Sequence, residues 1–449
     1  MKKCITLLVS AVFVVAISDR RAPAQGTPSQ PAPLYDADPA HLWNRLHSAL
    51  FVRTTSEGMS YGQDELDPLL WPNSKYLLVG GHHKYVLALL DEFLASESDK
   101  LVNDPLKRAV FQHDLWSVFD WLANPHAVYS YRPDDCTPEQ RALQVRLAKI
   151  IRRLALSAEQ IQPLPDNYAA AGAAKAFPTS HNPDKPDAAF LPAELFQPDG
   201  PWVLLGEHMQ SAAPVHIRKT QGRSAFFVFM NVPGGRMATL AYLKELGAFP
   251  NPLMPRPIDG NRTNARVPRF NPQLPQFPVG TQLALAREML LINDQGKIEA
   301  SRLIESVQLR VFRDIPAGEA ERREDRGSVP RAQDFYEFRI TRKALFSGAS
   351  GGLHAVAPQE VDLIPLNPHA DDEFETRSSG PLERPPILQS CSVCHNRPGI
   401  HSVEAFRRGF IRLPVPPRLL PYDRSQQENA AMLHKWGDYS WGLLQGLME

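Results

Sequence analysis

Hydrophobic positions in the first third of the chain recur at helical spacing. Asp104 and Pro105 are typical of a helix N-terminus, and the apolar positions that follow are Val110, Leu115, Val118 and Leu122. A second start lies at Thr137, which forms a capping-box pattern with Gln140 and precedes Leu143, Leu147, Ile150 and Leu154. The chain from residue 38 to about 164 is therefore predicted to be mainly helical.

The pattern changes in the middle of the chain. Residues 225–230 form a short apolar run rich in Phe and Val, and residues 234–246 read as a helix after a Pro-Gly-Gly turn. Residues 283–292, 307–311 and 335–341 run or alternate like strands. The sequence predicts an α+β fold with a helical N-terminal region, a middle region built on an antiparallel sheet and a small C-terminal segment that carries a cysteine motif.

Prolines mark the connections between these regions. They recur between Pro250 and Pro278, which excludes regular structure there and indicates a connector. Residues 425–447 read as one C-terminal helix, with an apolar side formed by Met432, Leu433, Trp436, Leu443, Leu444 and Leu447. The predicted divisions are a signal peptide, a flexible leader, a mostly helical mixed region, a Pro-rich connector, a β-rich region and the C-terminal segment with the cysteine motif, at residues 1–24, 25–37, 38–249, 250–280, 281–365 and 366–449.

The N-terminus indicates export. Lys2 and Lys3 precede an apolar run at residues 5–17, which is too short to span a bilayer and suits a signal-peptide core. Cleavage could follow Ser18 or Ala24, and an uncleaved membrane anchor is the alternative. We expect a periplasmic or secreted protein without a membrane span in the mature chain.

The balance of positive and negative residues argues against polyanionic partners. Lys plus Arg and Asp plus Glu both total 49 in 449 residues, so no overall field draws the chain to nucleic acid or to an anionic membrane. A redox or small-molecule role stays open.

Cysteine use points to one short segment. Cys4 lies in the predicted signal peptide, which leaves an odd set, Cys136, Cys391 and Cys394, in the mature chain. An odd set does not suit a disulfide framework. Residues 391–395, Cys-Ser-Val-Cys-His, match the C-x-x-C-H pattern of c-type haem attachment.

This motif resembles that of the c-type cytochromes, and the resemblance is limited to Cys391 through His395. It implies one haem c, with Cys391 and Cys394 as thioether donors and His395 as the proximal iron ligand. It also implies electron transfer or redox chemistry with a redox partner protein. Catalytic residues, the oligomeric state and enzymatic activity stay open, and an enzyme would be a haem-dependent oxidoreductase whose larger portion binds the substrate.

Alternatives to haem use the same cysteines. A Cys391–Cys394 disulfide explains their spacing without explaining the histidine. A zinc site could combine both cysteines with His401 and one distant ligand. Either alternative would make the protein an exported binding or structural module.

The sixth iron ligand decides what a haem does. Met432 is the nearest plausible methionine, and thioether ligation would raise the potential, although a core position explains it equally. His401 and His434 compete with it, and an open position is a further alternative.

Three weaker patterns have ordinary explanations. Residues 348–352 match G-x-S-x-G, but Pro358 follows where a nucleophile elbow needs a helix, so a glycine-rich turn is expected. His82 with His83, and His216 with Glu207 and His208, could supply metal ligands. Histidines at such irregular spacing are more often surface or satisfied interior groups.

Overall fold

A computed structural model describes the following parts of the chain: residues 31–54, 60–66, 76–123, 137–206, 213–250, 253–254, 269–271, 273–313, 333–361, 386–395, 399–402, 420–421 and 423–449. The predicted signal peptide and Cys136 lie outside these ranges. None of the described helices is long and apolar enough to cross a membrane.

Twelve α-helices are present in the described ranges, and most belong to the N-terminal half. They are α1 Leu42–Phe51, α2 Gly80–Ala95, α3 Pro105–Ala123, α4 Thr137–Leu154, α5 Ala158–Ile161, α6 Asn167–Ala173, α7 Pro214–Lys219, α8 Arg236–Ala248, α9 Arg342–Ser347, α10 Ile387–Cys394, α11 Arg424–Trp436 and α12 Tyr439–Met448. The predicted helices that begin near Asp104, Thr137 and Gly234 are confirmed as α3, α4 and α8.

The described strands are β1 Arg53–Thr54, β2 Ser60–Tyr61, β3 Val203–Gly206, β4 Ser224–Asn231, β5 Leu253–Met254, β6 Arg269–Phe270, β7 Gln282–Ile292, β8 Ile298–Phe312, β9 Gln333–Ile340, β10 Leu353–Ala355 and β11 Leu420–Pro421. Seven of them form one sheet in the order β10-β9-β8-β7-β4-β3-β11, in which β11 is a two-residue edge. Every neighbouring pair is antiparallel. The predicted α+β class with a central antiparallel sheet is confirmed.

The proline-rich connector joins two neighbouring strands of this sheet, β4 and β7. Within the connector, β5 pairs with β6 through two residues each. The expectation that prolines exclude all regular structure there is therefore wrong at these four positions, none of which is a proline and whose amides can therefore pair.

The sheet has two chemically different faces, because side chains alternate along each strand. One face, here called the core face, carries the cross-strand row of Phe227, Ala286, Val307 and Phe338, and all of these belong to the main hydrophobic core with the helices. The opposite face, here called the site face, carries the row of Val228, Leu285, Gln308 and Glu337. The next row on the site face ends in Arg310 and Phe335.

The C-terminal helices pack into the N-terminal helical layer. Trp441 of α12 contacts Trp116 of α3 with ring centroids 5.8 Å apart, and both belong to the main core. One continuous helix over residues 425–447 is wrong, because Gly437 ends α11 and Asp438 accepts a hydrogen bond from the Ser440 amide as the N-cap of α12.

The predicted apolar side of the C-terminal helix is also partly wrong. Leu433 and Trp436 are 63% and 56% exposed. Met432, Leu443 and Leu447 pack against the main core, and Leu444 is buried in it. The break between α11 and α12 changes the direction of the chain, so the two helices do not share one continuous apolar face.

Candidate functional site: the end of helix α10

Helix α10 carries the cysteine motif. It begins directly after Pro386, which serves as its N-cap. Cys391 and Cys394 lie three residues apart on this helix, and Cys394 is its last residue. His395 is the C-cap, with its amide donating to the Cys391 carbonyl at 3.0 Å. The local fold therefore brings the histidine to the end of the turn that holds both cysteines.

Cys391 faces the site face of the sheet. Its Sγ lies 3.7 Å from Glu337 Oε2, and the thiol is free. Burial, together with the Glu337 carboxylate, raises the pKa of Cys391 to about 12. A thiol that stays protonated at neutral pH is a poor nucleophile, so this environment does not suit a reactive cysteine.

His395 is held through one ring nitrogen. Its Nδ1 lies 2.9 Å from the Ser402 carbonyl oxygen and 3.3 Å from Arg310 Nη1. A carbonyl only accepts, so in the tautomer with the proton on Nδ1 the ring donates to Ser402 and Nε2 keeps its lone pair; in the other tautomer Nδ1 accepts from Arg310 Nη1. In the described structure no hydrogen bond is made to Nε2.

The charge state of His395 suits a metal ligand. Burial, together with the nearby Arg310 charge, lowers the pKa of His395 to about 4. The ring is therefore neutral at physiological pH. A histidine that donates Nδ1–H to a backbone carbonyl and presents a neutral Nε2 is the common arrangement of a metal-bound imidazole.

Arg310 and Gln333 hold the backbone of this turn. Arg310 Nε and Nη2 donate to Gln333 Oε1 at 2.9 and 2.6 Å, and Arg310 also donates to Ser402 Oγ. Gln333 Nε2 donates to the His395 carbonyl. Burial lowers the pKa of Arg310 to about 9, so it stays charged at neutral pH, and its acceptors among the described residues are neutral.

His216 is a site residue that the sequence offered only as a metal-ligand candidate with Glu207 and His208, and not as a neighbour of the cysteine motif. It lies on α7, which packs on the site face through Ile217 and Phe226. The rings of His216 and His395 have centroids 6.5 Å apart and planes 8° apart. Burial, helped by the positive charge of Lys219, lowers the pKa of His216 to about 3. The signal in the sequence was its grouping with Glu207 and His208, whose irregular spacing is not specific for a metal site.

The structure separates the other ligand candidates from His395. Met432 packs against the main hydrophobic core, which lies against the opposite face of the sheet. His434 is exposed on α11, beside Gly222. The side chains of Cys394 and His401, and all of Glu207 and His208, lie outside the described part of the chain.

The weaker patterns find ordinary explanations. Residues 348–352 form a tight turn between α9 and β10, and no α-helix follows Ser350 as a nucleophile elbow requires. His82 and His83 hydrogen-bond to the carbonyls of Ala49 and Leu77. Among described residues, no group of three or more His, Cys, Asp or Glu side chains could hold a metal ion.

Comparison with protein-family models, with curated proteins and with solved structures finds no match for this chain. A function must therefore be inferred from the geometry around α10.

Proposed function

We propose that this protein is an exported monohaem c-type cytochrome-like protein that transfers electrons. Cys391 and Cys394 are its thioether donors, and His395 is its proximal iron ligand. The observation that carries the proposal is the hydrogen bond from His395 Nδ1 to the Ser402 carbonyl, which leaves Nε2 of the histidine after C-x-x-C free to bind iron.

The residues present fit a covalent haem. The Cys391 thiol is free and half-buried against the sheet. Cys394 ends the same helix three residues later.

The local charges also suit a haem, which carries two propionate carboxylates. Arg310 has only neutral acceptors among the described residues, and the Lys219 charge acts on both Cys391 and His395. A buried charge is costly without an opposite charge. A propionate beside Arg310 would supply the missing one.

The haem, when bound, supplies a one-electron ferric/ferrous couple, and a redox partner protein provides or accepts the electron. This chain's residues hold the group, exclude water from it and set its potential through axial ligand and charge. Export is part of the proposal, because haem is attached to c-type cytochromes outside the cytoplasmic membrane.

Cysteine variants test the attachment. The protein is produced with its N-terminal segment in a host that matures c-type cytochromes, and a denaturing gel is stained for haem. The wild-type chain and the matched control Cys136→Ala keep the stain, whereas the double variant Cys391→Ala/Cys394→Ala loses it. A wild-type chain without stain, or a double variant that keeps it, would overturn the proposal.

A further inference from the structure

His216 and His395 place their imidazole rings side by side on the site face. They come from helices far apart in sequence, α7 and α10, which meet on the site face. Their planes differ by 8° and their centroids lie 6.5 Å apart. Among the described residues, neither nitrogen of His216 has a hydrogen-bond partner.

This separation matches two imidazoles on opposite sides of one metal ion. A metal–imidazole bond is about 2.0 Å long, and the ring centroid lies about 1 Å behind the bonding nitrogen. With this bond length, two imidazole rings on opposite sides of the ion have their centroids roughly 6 Å apart. The observed 6.5 Å agrees with that value, and nearly parallel ring planes are compatible with it.

We propose that His216 is the sixth ligand of the haem iron, opposite His395. This inference rests on the proposed function and deepens it, since it makes the iron six-coordinate with two histidines. Such an iron has no open position for peroxide or a small ligand, so it serves electron relay.

The local fold places His216 for this role. Ile217, the next residue of α7, packs with Phe226 on the site face, and the His216 ring lies 5.9 Å from the Phe226 ring. Helix α7 contacts β4 and α10 contacts β9, and β7 and β8 lie between these two strands in the sheet. The sheet therefore fixes the two histidines relative to each other before any ligand joins them.

The test measures the spin state of the ferric iron in protein that carries covalent haem. Two axial imidazoles give low-spin iron, and loss of one gives a high-spin or water-ligated form, which optical and electron paramagnetic resonance spectra distinguish. We expect wild type to be low-spin and His216→Ala to be mainly high-spin, with covalent haem content unchanged. Met432→Ala and His434→Ala are the matched controls and should stay low-spin.

Two further variants separate ligation from a structural role. In His216→Gly, added imidazole should restore the low-spin spectrum, because the free ligand can enter the space left by the side chain. In His216→Met, the spectrum should change to that of mixed His/Met ligation and the potential should rise. These results do not depend on how the alanine variant folds.

The outcomes distinguish this inference from the proposed function. Wild type with no covalent haem overturns the proposed function. Wild type with one haem per chain but high-spin ferric iron overturns the assignment of His216 alone. A low-spin His216→Ala, or a control variant that turns high-spin, does the same.

Discussion

Lys435 Nζ lies 2.7 Å from Asp120 Oδ2, and both side chains are fully buried. The pair joins α11 near the C-terminus to α3 in the N-terminal helical layer. Arg223, at the start of β4, approaches the same Asp120 oxygen at 3.1 Å. Helix α11, which follows α10 in the chain, is thus anchored to the same buried carboxylate as the residue before β4.

Asp120→Asn should strongly destabilise the fold. The amide removes the carboxylate that Lys435 and Arg223 share, and breaking a buried ion pair by removing one partner costs roughly 3–5 kcal/mol. Urea unfolding at neutral pH measures this loss as a lower midpoint.

The matched control for this variant is a substitution in a surface ion pair. Arg45 and Glu92 form an ion pair in which both side chains are 30% or more exposed, and such pairs contribute about 0–1 kcal/mol. Glu92→Gln should therefore leave the midpoint almost unchanged. Equal losses in the two variants would contradict the role assigned to Asp120.

The contribution of Glu288 to the stability of the folded state should fall as the pH rises. Its carboxylate is buried beside Arg424, with Oε2 2.5 Å from Nη2. Burial raises its pKa from 4.5 to about 7 despite that partner. The folded state therefore holds a proton that the unfolded chain releases, so this contribution is full below about pH 4.5 and is lost as the pH rises to about 7.

Glu288→Gln removes this dependence. The stability of the variant relative to wild type should improve between pH 5 and pH 7, by up to a few kcal/mol since one pKa unit is about 1.4 kcal/mol. Urea unfolding of both proteins at the two pH values gives the difference. A difference that does not change with pH would show that Glu288 titrates normally.

Arg310→Gln should lower the midpoint potential of the haem. The positive charge beside His395 favours the reduced iron, so its removal favours the oxidised form. Loss of one nearby charge is worth on the order of 1 kcal/mol, which is roughly 40 mV for a one-electron couple. Spectroscopic redox titration measures the shift, and Arg310→Lys, which keeps the charge, should move the potential much less. Equal shifts in both variants would assign the effect to the lost Gln333 hydrogen bonds.

Much of the fold was predictable because its signals are local. The helices α3 and α4 follow from capping residues and helical spacing, and β7, β8 and β9 follow from apolar runs and alternation. The break between α11 and α12 was missed, although Gly437 followed by Asp438 is a local stop and start signal. It was missed because apolar residues recur at helical spacing on both sides of the break.

The candidate site was predictable only in part. Spacing alone identified Cys391, Cys394 and His395, because a single turn must supply all three. His216 could not be found this way, since its proximity to His395 depends on the pairing of β4, β7, β8 and β9. Met432 was the sequence candidate because it follows the motif closely, but the sheet lies between its packing site in the core and His395.

The most direct test of covalent haem attachment is the intact mass of the exported wild-type protein, measured together with its pyridine haemochrome spectrum. The account predicts a chain heavier than the polypeptide by one haem, and a haemochrome spectrum of the c-type with two thioether bonds at one haem per chain. A colourless protein with the mass of the polypeptide alone would contradict it.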